Sequence, residues 1–244
     1  MTTESGDKKL LGNFRKLIDE VSADSSYNPG NTKLKKTALE TQYTAGEAAA
    51  AAVSDARGSH KLAITDRETG FKGLRAFAIR SRNALKASGA PKPVVADAEE
   101  FIRKLSGGGK SAKAKPIPNA NPANPGSEPP AGRSSSQMSY DNQIGHFQGY
   151  IDVVKKVSAY KPNEAELKVP ALTAFGEDLQ AKSDGVSTAS AALNQARGQR
   201  DRLLYLDEDS IVETALLVKA YVQSALGTKS QLFKKIKPLR FIRQ

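Results

Sequence analysis

Apolar side chains recur along two stretches of this chain at the spacing of an amphipathic helix. Each stretch follows the pattern i, i+3, i+4, i+7, which places four side chains on one helical face. The first runs from Phe14 through Leu17 and Ile18 to Val21, and the second from Phe147 through Tyr150 and Ile151 to Val154. The pattern predicts a short amphipathic helix at each place.

A much longer apolar stripe follows each of these helices. In the second half of the chain it alternates spacings of three and four residues from Leu172 to Leu203, with Lys182 and Arg200 as polar interruptions. The first half repeats the spacings from Leu39 to Ala63. A heptad seam of this length predicts a long helix, which we place over residues 163–204 in the second half.

The two halves also match residue by residue. Phe14–Val53 aligns with Phe147–Val186 without a gap, and thirteen of 40 positions are identical. Beyond it, "SDARGSH" (54–60) aligns with "NQARGQR" (194–200) at an offset of 140 instead of 133. The match predicts an internal duplication, and the change of offset predicts a seven-residue insertion within the helix, since seven residues preserve the apolar stripe.

Two further helices are predicted in each copy. A third helix is expected over 68–88 and 208–226, followed by Gly89 and Gly227 at the usual position of a C-terminal cap, and a fourth over 93–105 and 230–236. The predicted fold is therefore all-α: an elongated antiparallel helical bundle built from an internal duplication. Each copy would have a short helix, a long heptad helix, a third helix and a short fourth helix.

The composition predicts three segments. Residues 1–105 form the first helical copy, and residues 139–244 form the second copy with a basic C-terminal tail. Between them, residues 106–138 are dominated by Gly, Pro, Ser, Ala and Asn without periodicity, which is typical of a flexible linker. The sequence leaves open whether the two copies dock on each other.

Composition excludes several classes of function. The chain has no cysteine, which rules out a disulfide framework, a thiolate nucleophile and a cysteine-based zinc site. The N-terminus lacks a signal-peptide pattern and no apolar run is long enough to span a bilayer. We therefore expect cytoplasmic residence and no membrane insertion.

No catalytic or cofactor motif is found. "GGGKS" (107–111) ends like a phosphate-binding loop, but the first glycine of that motif would fall on Lys104. His60 and His146 share no motif, and the seams lack the paired carboxylates of a metal-binding bundle. We expect a protein that is not an enzyme and needs no cofactor or metal; the weakest alternative is an enzyme using His60, Arg197 and Arg200.

Basic residues are the remaining candidates for a binding role. The formal net charge is +11, which favours polyanionic partners. Three groups of side chains are candidate contacts for an anion or a nucleic acid: Arg75, Arg82 and Lys86; Arg197, Arg200 and Arg202; and Lys234, Lys235, Lys237, Arg240 and Arg243 in the tail. The tail also alternates with apolar residues, so it is either a terminal helix docked on the core, which we prefer, or an amphipathic membrane-surface segment.

Two phrases of the second copy resemble a family of uncharacterised bacterial helical proteins. One is "YKPNEAELK" (160–168); the other runs from "ARGQRDRLLYL" (196–206) into "VKAYV" (218–222). The resemblance implies a helical fold and no particular activity.

Two functions are compatible with these features. The leading hypothesis is a non-enzymatic helical interaction or scaffold protein that presents two similar bundles and binds a protein partner or another copy of itself. The alternative is an accessory nucleic-acid-binding protein that neutralises phosphates without reading sequence.

Overall fold

The described part of the chain, residues 4–106 and 138–242 of a computed structural model, is helical throughout and contains no strand. The all-α class is thereby confirmed for these residues. Residues 107–137, nearly all of the predicted linker, lie outside the described residues, as does Arg243. Eight α-helices follow in order: α1 (Glu4–Ala23), α2 (Lys36–Lys72), α3 (Leu74–Ala87), α4 (Lys92–Leu105), α5 (Tyr140–Lys155), α6 (Val169–Asp201), α7 (Ile211–Leu226) and α8 (Gln231–Ile236).

Shorter helical turns connect some of these helices. A 3₁₀ turn precedes each long helix, at Thr32–Leu34 before α2 and at Ala165–Leu167 before α6. A five-residue π-helix, Arg202–Leu206, directly extends α6. Because α6 begins at Val169, Pro170 occupies the first turn of the helix, where its missing N–H is not needed.

The chain divides into two compact units, and the division falls inside both long helices. Unit 1 comprises residues 1–61 and 188–244, and unit 2 comprises residues 62–187. Unit 1 therefore contains α1, the first part of α2, the last part of α6, α7 and α8. Unit 2 contains the last part of α2, α3, α4, α5 and the first part of α6.

Unit 1 is held by one apolar core. The buried face of α1, which includes Phe14, Leu17 and Ile18, packs with side chains of α7 and α8 in this core. Tyr27 contacts Tyr221 edge to face, with ring centroids 5.4 Å apart. The first helix of the chain is thus buried against its last two helices.

Unit 2 is held by a second core of the same kind. Phe147, Tyr150 and Ile151 of α5 pack with Leu74 and Leu85 of α3. The Ser81 hydroxyl lies 2.6 Å from the Tyr150 hydroxyl and 3.0 Å from the Tyr160 hydroxyl, so these three buried polar groups satisfy one another. Burial raises the pKa of Tyr150 above its ordinary value, because the ionised phenolate would lose its hydration.

Every second position of the heptad seam predicted in α6 is buried, and the positions between them are half-buried. Along α6, every seventh residue is buried: Leu172, Leu179, Val186, Leu193 and Arg200. The first three corresponding residues of α2 are Leu39, Gly46 and Val53, and they are buried as well. The buried stripe therefore runs along α6 but ends at Val53 in α2, where the next two positions, His60 and Arg67, are only half-buried.

The predicted seven-residue insertion within the helix is wrong. The long helices start 133 residues apart, at Lys36 and Val169, and α2 has 37 residues whereas α6 has 33 and its π-helical extension five. The third helices start 137 residues apart, at Leu74 and Ile211. The additional residues of the second half therefore lie mainly after the long helix, around "DEDS" (207–210). The likeness between "SDARGSH" and "NQARGQR" points to an insertion within the helix because a shift of seven residues leaves the apolar stripe on the same face.

The echoed phrases "YNPGN" and "YKPNE" are corners between helices. The buried Tyr27 hydroxyl donates a hydrogen bond to the Leu34 carbonyl at 2.7 Å, and the buried Tyr160 hydroxyl donates one to the Leu167 carbonyl at 2.6 Å. Each bond closes the chain over the 3₁₀ turn that starts a long helix. The same physical contact thus explains the common Tyr-to-Leu spacing.

Gly46 makes a close helix contact in unit 1. A Cβ atom there would lie 2.7 Å from the Ile211 side chain and 2.8 Å from the Leu11 side chain, whereas one at Gly58, also in α2, would meet nothing within 4 Å. Contacts this short require the neighbouring side chains to move. The absence of a side chain at position 46 is therefore a packing requirement.

We expect Gly46→Ala to destabilise unit 1 and Gly58→Ala to stabilise the protein. Both substitutions gain about 0.5–1 kcal/mol of helix propensity, but only the first overfills the core, which typically costs about 1–3 kcal/mol. Denaturant unfolding of the two variants beside the wild type measures the difference. Equal stabilisation by both substitutions would contradict the packing role of Gly46.

Candidate interaction surfaces

The basic face predicted on α3 is partly neutralised by the next helix. Lys86 lies 2.5 Å from a Glu99 carboxylate oxygen and Arg82 lies 4.0 Å from the same oxygen, while Arg75 is exposed. The hydrogen bond from Lys86 is the main reason that the pKa of Glu99 is below its usual range. Arg80, on the same helix, pairs with Glu166. Residues 72–92 contain no acidic residue, but α4 and the corner before α6 supply two, Glu99 and Glu166.

The second basic group separates into buried and exposed members. Arg197 and Arg202 are exposed, but Arg200 is buried. Its guanidinium donates to Asp7 at 2.9 Å and to Asp201 at 2.7 Å, and the Tyr205 hydroxyl donates to the other Asp7 oxygen at 2.8 Å. Arg200 thus joins the end of α6 to α1, and its guanidinium has a structural role in this contact.

The electrostatic interactions around Arg200 favour a charged guanidinium and a neutral Tyr205 phenol. Burial lowers the pKa of Arg200, but hydrogen bonding to Asp201 and the charges of Asp7 and Asp201 outweigh burial and raise it. Burial raises the pKa of Tyr205, and its bond to Asp7 raises it further because ionisation would place two anions side by side. The phenol therefore remains a hydrogen-bond donor at neutral pH.

The C-terminal tail docks on unit 1 by its apolar side chains. Leu232, Ile236 and Phe241 are buried, whereas Lys234 and Lys237 are exposed. This arrangement agrees with the docked-helix interpretation of the tail. The terminal tail is further held by Lys219, whose amine donates to the Lys237 carbonyl at 3.2 Å and to the Leu239 carbonyl, and lies 5.3 Å from the Phe241 ring centroid.

The cations of the tail lie beside α1, which sequence reasoning did not associate with them. Lys235 pairs with Glu20 of α1 at 2.9 Å, and the Asn13 side chain donates to the Arg240 carbonyl at 3.1 Å. Lys9 and Lys16 share the Asn13 face of α1 at spacings of four and three residues and are exposed. Only the long-range docking of the tail brings these residues together, so no local pattern could have identified them.

An apolar groove lies on another part of unit 1. It has a volume of about 360 Å³ and is lined by Ala38, Thr41 and Ala45 of α2, Leu203 of the π-helix and Thr214 of α7, with Lys33 and Asp209 also in its lining. Lys33 and Asp209 form an exposed ion pair at 3.4 Å. Leu206, three residues after Leu203, is 61% exposed, and Leu217, one turn after Thr214, is 49% exposed.

Metal-binding groups and membrane-spanning helices are both absent from the described residues. Residues 4–106 and 138–242 contain no group of three or more His, Asp or Glu side chains placed to hold a metal ion. Within the same ranges, no helix combines the length and apolar character needed to cross a membrane.

The buried Asp7–Arg200 pair gives a direct test of the structural environment of Arg200. Arg200→Met leaves the Asp7 charge buried without its cation, so we expect a loss of about 3–5 kcal/mol in the free energy of unfolding. Arg197→Met, on an exposed position of the same helix, should change it by less than about 0.5 kcal/mol. Denaturant unfolding checks both, and equal effects of the two substitutions would contradict the assignment.

Comparisons with protein-family models, curated proteins and solved structures found no significant match to this chain. The resemblance of the second copy to uncharacterised bacterial helical proteins therefore stays a prediction. The function has to be argued from the contacts, charges and exposed surfaces described above.

Proposed function

We propose that this chain is a non-enzymatic helical interaction protein that self-associates through the apolar groove of unit 1. The observation that carries the proposal is the exposure of two leucines, Leu206 and Leu217, each of which lies three residues along the chain from a residue lining the groove. An apolar patch exposed to water is typical of a protein–protein contact, and in this proposal the leucines and the groove form one patch.

A second copy of the chain is the occupant that the charges favour. The groove lining carries both signs of charge, Lys33 and Asp209, and both side chains are exposed. In a two-fold symmetric contact a surface meets itself, so a cation and an anion on one rim can exchange partners across the interface. A partner with a single sign of charge could replace only one side of this ion pair.

The scaffold interpretation includes an internal duplication with exchanged halves. The equivalent corner hydrogen bonds and the equivalent starts of the long helices support two copies at an offset of 133. In this scheme, unit 1 combines the first helix, the corner and the first part of the long helix of copy one with the last part of the long helix and the later helices of copy two. Unit 2 combines the corresponding parts with the two copies exchanged. An elongated antiparallel arrangement of these helices completes the proposal.

The scheme also predicts that the apolar groove belongs to unit 1 alone. The third helices are equivalent at an offset of 137, which places Arg80 of α3 at the position of Leu217. Arg80 pairs with Glu166, whose equivalent in the first corner is Lys33. Unit 2 therefore has an ion pair where unit 1 has an exposed leucine, and the two similar units present different surfaces.

Self-association should depend on Leu217. We expect sedimentation of the wild type to show concentration-dependent dimerisation and Leu217→Glu to weaken it by at least about tenfold, because a charge would be buried in the contact. Leu62→Glu is the matched control, since Leu62 is 67% exposed but lies in unit 2. A wild type that stays monomeric at all concentrations, or equal effects of both substitutions, would contradict the proposal.

The second candidate function is nucleic-acid binding without sequence readout. It is favoured by the exposed cations gathered on the α1 and tail side of unit 1, namely Lys9, Lys16, Lys234, Lys237 and Arg240. None of these five side chains forms an ion pair within the described residues. A group of lysines and arginines on one surface can displace the counterions of a phosphate backbone.

Salt dependence tests this candidate. We expect wild-type affinity for mixed-sequence DNA and RNA to fall steeply with salt, and Lys234→Gln/Lys237→Gln to reduce the slope of log K against log salt by about one to two. Lys86→Gln is the matched control, because its amine is already paired with Glu99. If fluorescence anisotropy shows no binding at low salt, this candidate is rejected.

A further inference from the structure

A separate cavity lies where α1 meets the π-helix and the C-terminal tail. It has a volume of about 300 Å³ and is lined by Lys9, Leu10 and Asn13 of α1, Tyr205 of the π-helix, and Arg240 and Ile242 of the tail. This volume is at the lower end of the range for small-molecule sites. All of these residues belong to unit 1, and none of them lines the apolar groove.

The charge of this cavity is positive. Lys9 and Arg240 both line it, and neither forms an ion pair within the described residues. Asp7, which accepts a hydrogen bond from the Tyr205 hydroxyl, is compensated by Arg200 at 2.9 Å. Among the described residues, the lining of the cavity has two cations and no carboxylate, which suits one anionic group.

The rest of the lining is apolar. Leu10 is buried beside the Tyr205 ring, whereas Ile242 is 70% exposed even though the preceding Phe241 is buried. An isoleucine left in water at a cavity wall gains when an apolar group covers it. The lining as a whole therefore matches a molecule with an apolar body and an anionic head.

Hydrogen bonds hold the backbone of the tail beside this cavity. The Asn13 amide donates to the Arg240 carbonyl at 3.1 Å, and Lys219 donates to the Leu239 carbonyl immediately before it. Phe241 is buried between the two residues of the tail that line the cavity. A ligand would thus meet side chains on a fixed backbone, which lowers the entropic cost of binding.

We propose that this cavity binds a small amphipathic monoanion, with the anionic head between Lys9 and Arg240 and the apolar chain against Leu10, Tyr205 and Ile242. A medium-chain carboxylate is the ligand class that combines these two features at this size. The proposal does not rest on self-association, because the cavity and the groove share no residue.

Calorimetric titration of the full chain with octanoate tests the proposal. We expect saturable binding of octanoate, with 1-octanol and acetate each binding at least about tenfold more weakly because each lacks one of the two features. Lys9→Gln/Arg240→Gln should weaken octanoate at least about tenfold by removing two charge-assisted contacts. Ile242→Gln should weaken octanoate but leave acetate unchanged.

Lys234→Gln/Lys237→Gln is the matched control, since it removes the same charge from exposed positions that do not line the cavity. This variant should retain octanoate affinity. Equal losses in both double variants would show non-specific attraction to a basic surface, and equal affinity for octanoate and 1-octanol would show purely apolar binding. Either result, or no saturable binding by a folded wild type, would overturn the proposal.

Discussion

The seven-residue stripe along the two long helices is the constraint on which the rest of the fold depends. Buried residues recur at this interval from Leu172 to Arg200 in α6 and from Leu39 to Val53 in α2, so the seam positions stay out of water. A strict seven-residue repeat does this, since it nearly matches two helical turns. Any change of register would expose the side chains that the first and third helices need.

The stripe also explains the residues that interrupt it. Gly46 lies in the stripe where Ile211 and Leu11 approach α2, so a missing side chain is what the packing requires. Arg200 lies at the end of the stripe in α6, where the charge of Asp7 and the hydroxyl of Tyr205 complete a buried polar cluster. A polar group can occupy a buried seam position when its hydrogen-bonding atoms find partners there.

The sequence predicts the positions of ion pairs in this protein less well than it predicts the buried apolar positions. The sequence offers Arg75, Arg82 and Lys86 as contacts for an anion, but Glu99 on α4 neutralises Lys86 and approaches Arg82. Conversely, α1, which lies more than two hundred residues earlier in the chain, brings Glu20 to Lys235 and Lys9 to the cavity lined by Arg240. Ion pairs of this kind are set by tertiary distance, so a one-dimensional charge count assigns them poorly.

The sequence alone determined the helical class, the heptad seams, the two corners and the glycines that follow the third helices, because each depends on residues within a few helical turns. Gly89 and Gly227 do adopt positive φ, at 76° and 79°. Only the tertiary structure decided which helices share a core, which arginine is buried, and where the cavity and the apolar groove form. Those features join residues such as Lys9 and Arg240, whose proximity has no local signature: it follows from the burial of Ile236 and Phe241 against distant helices.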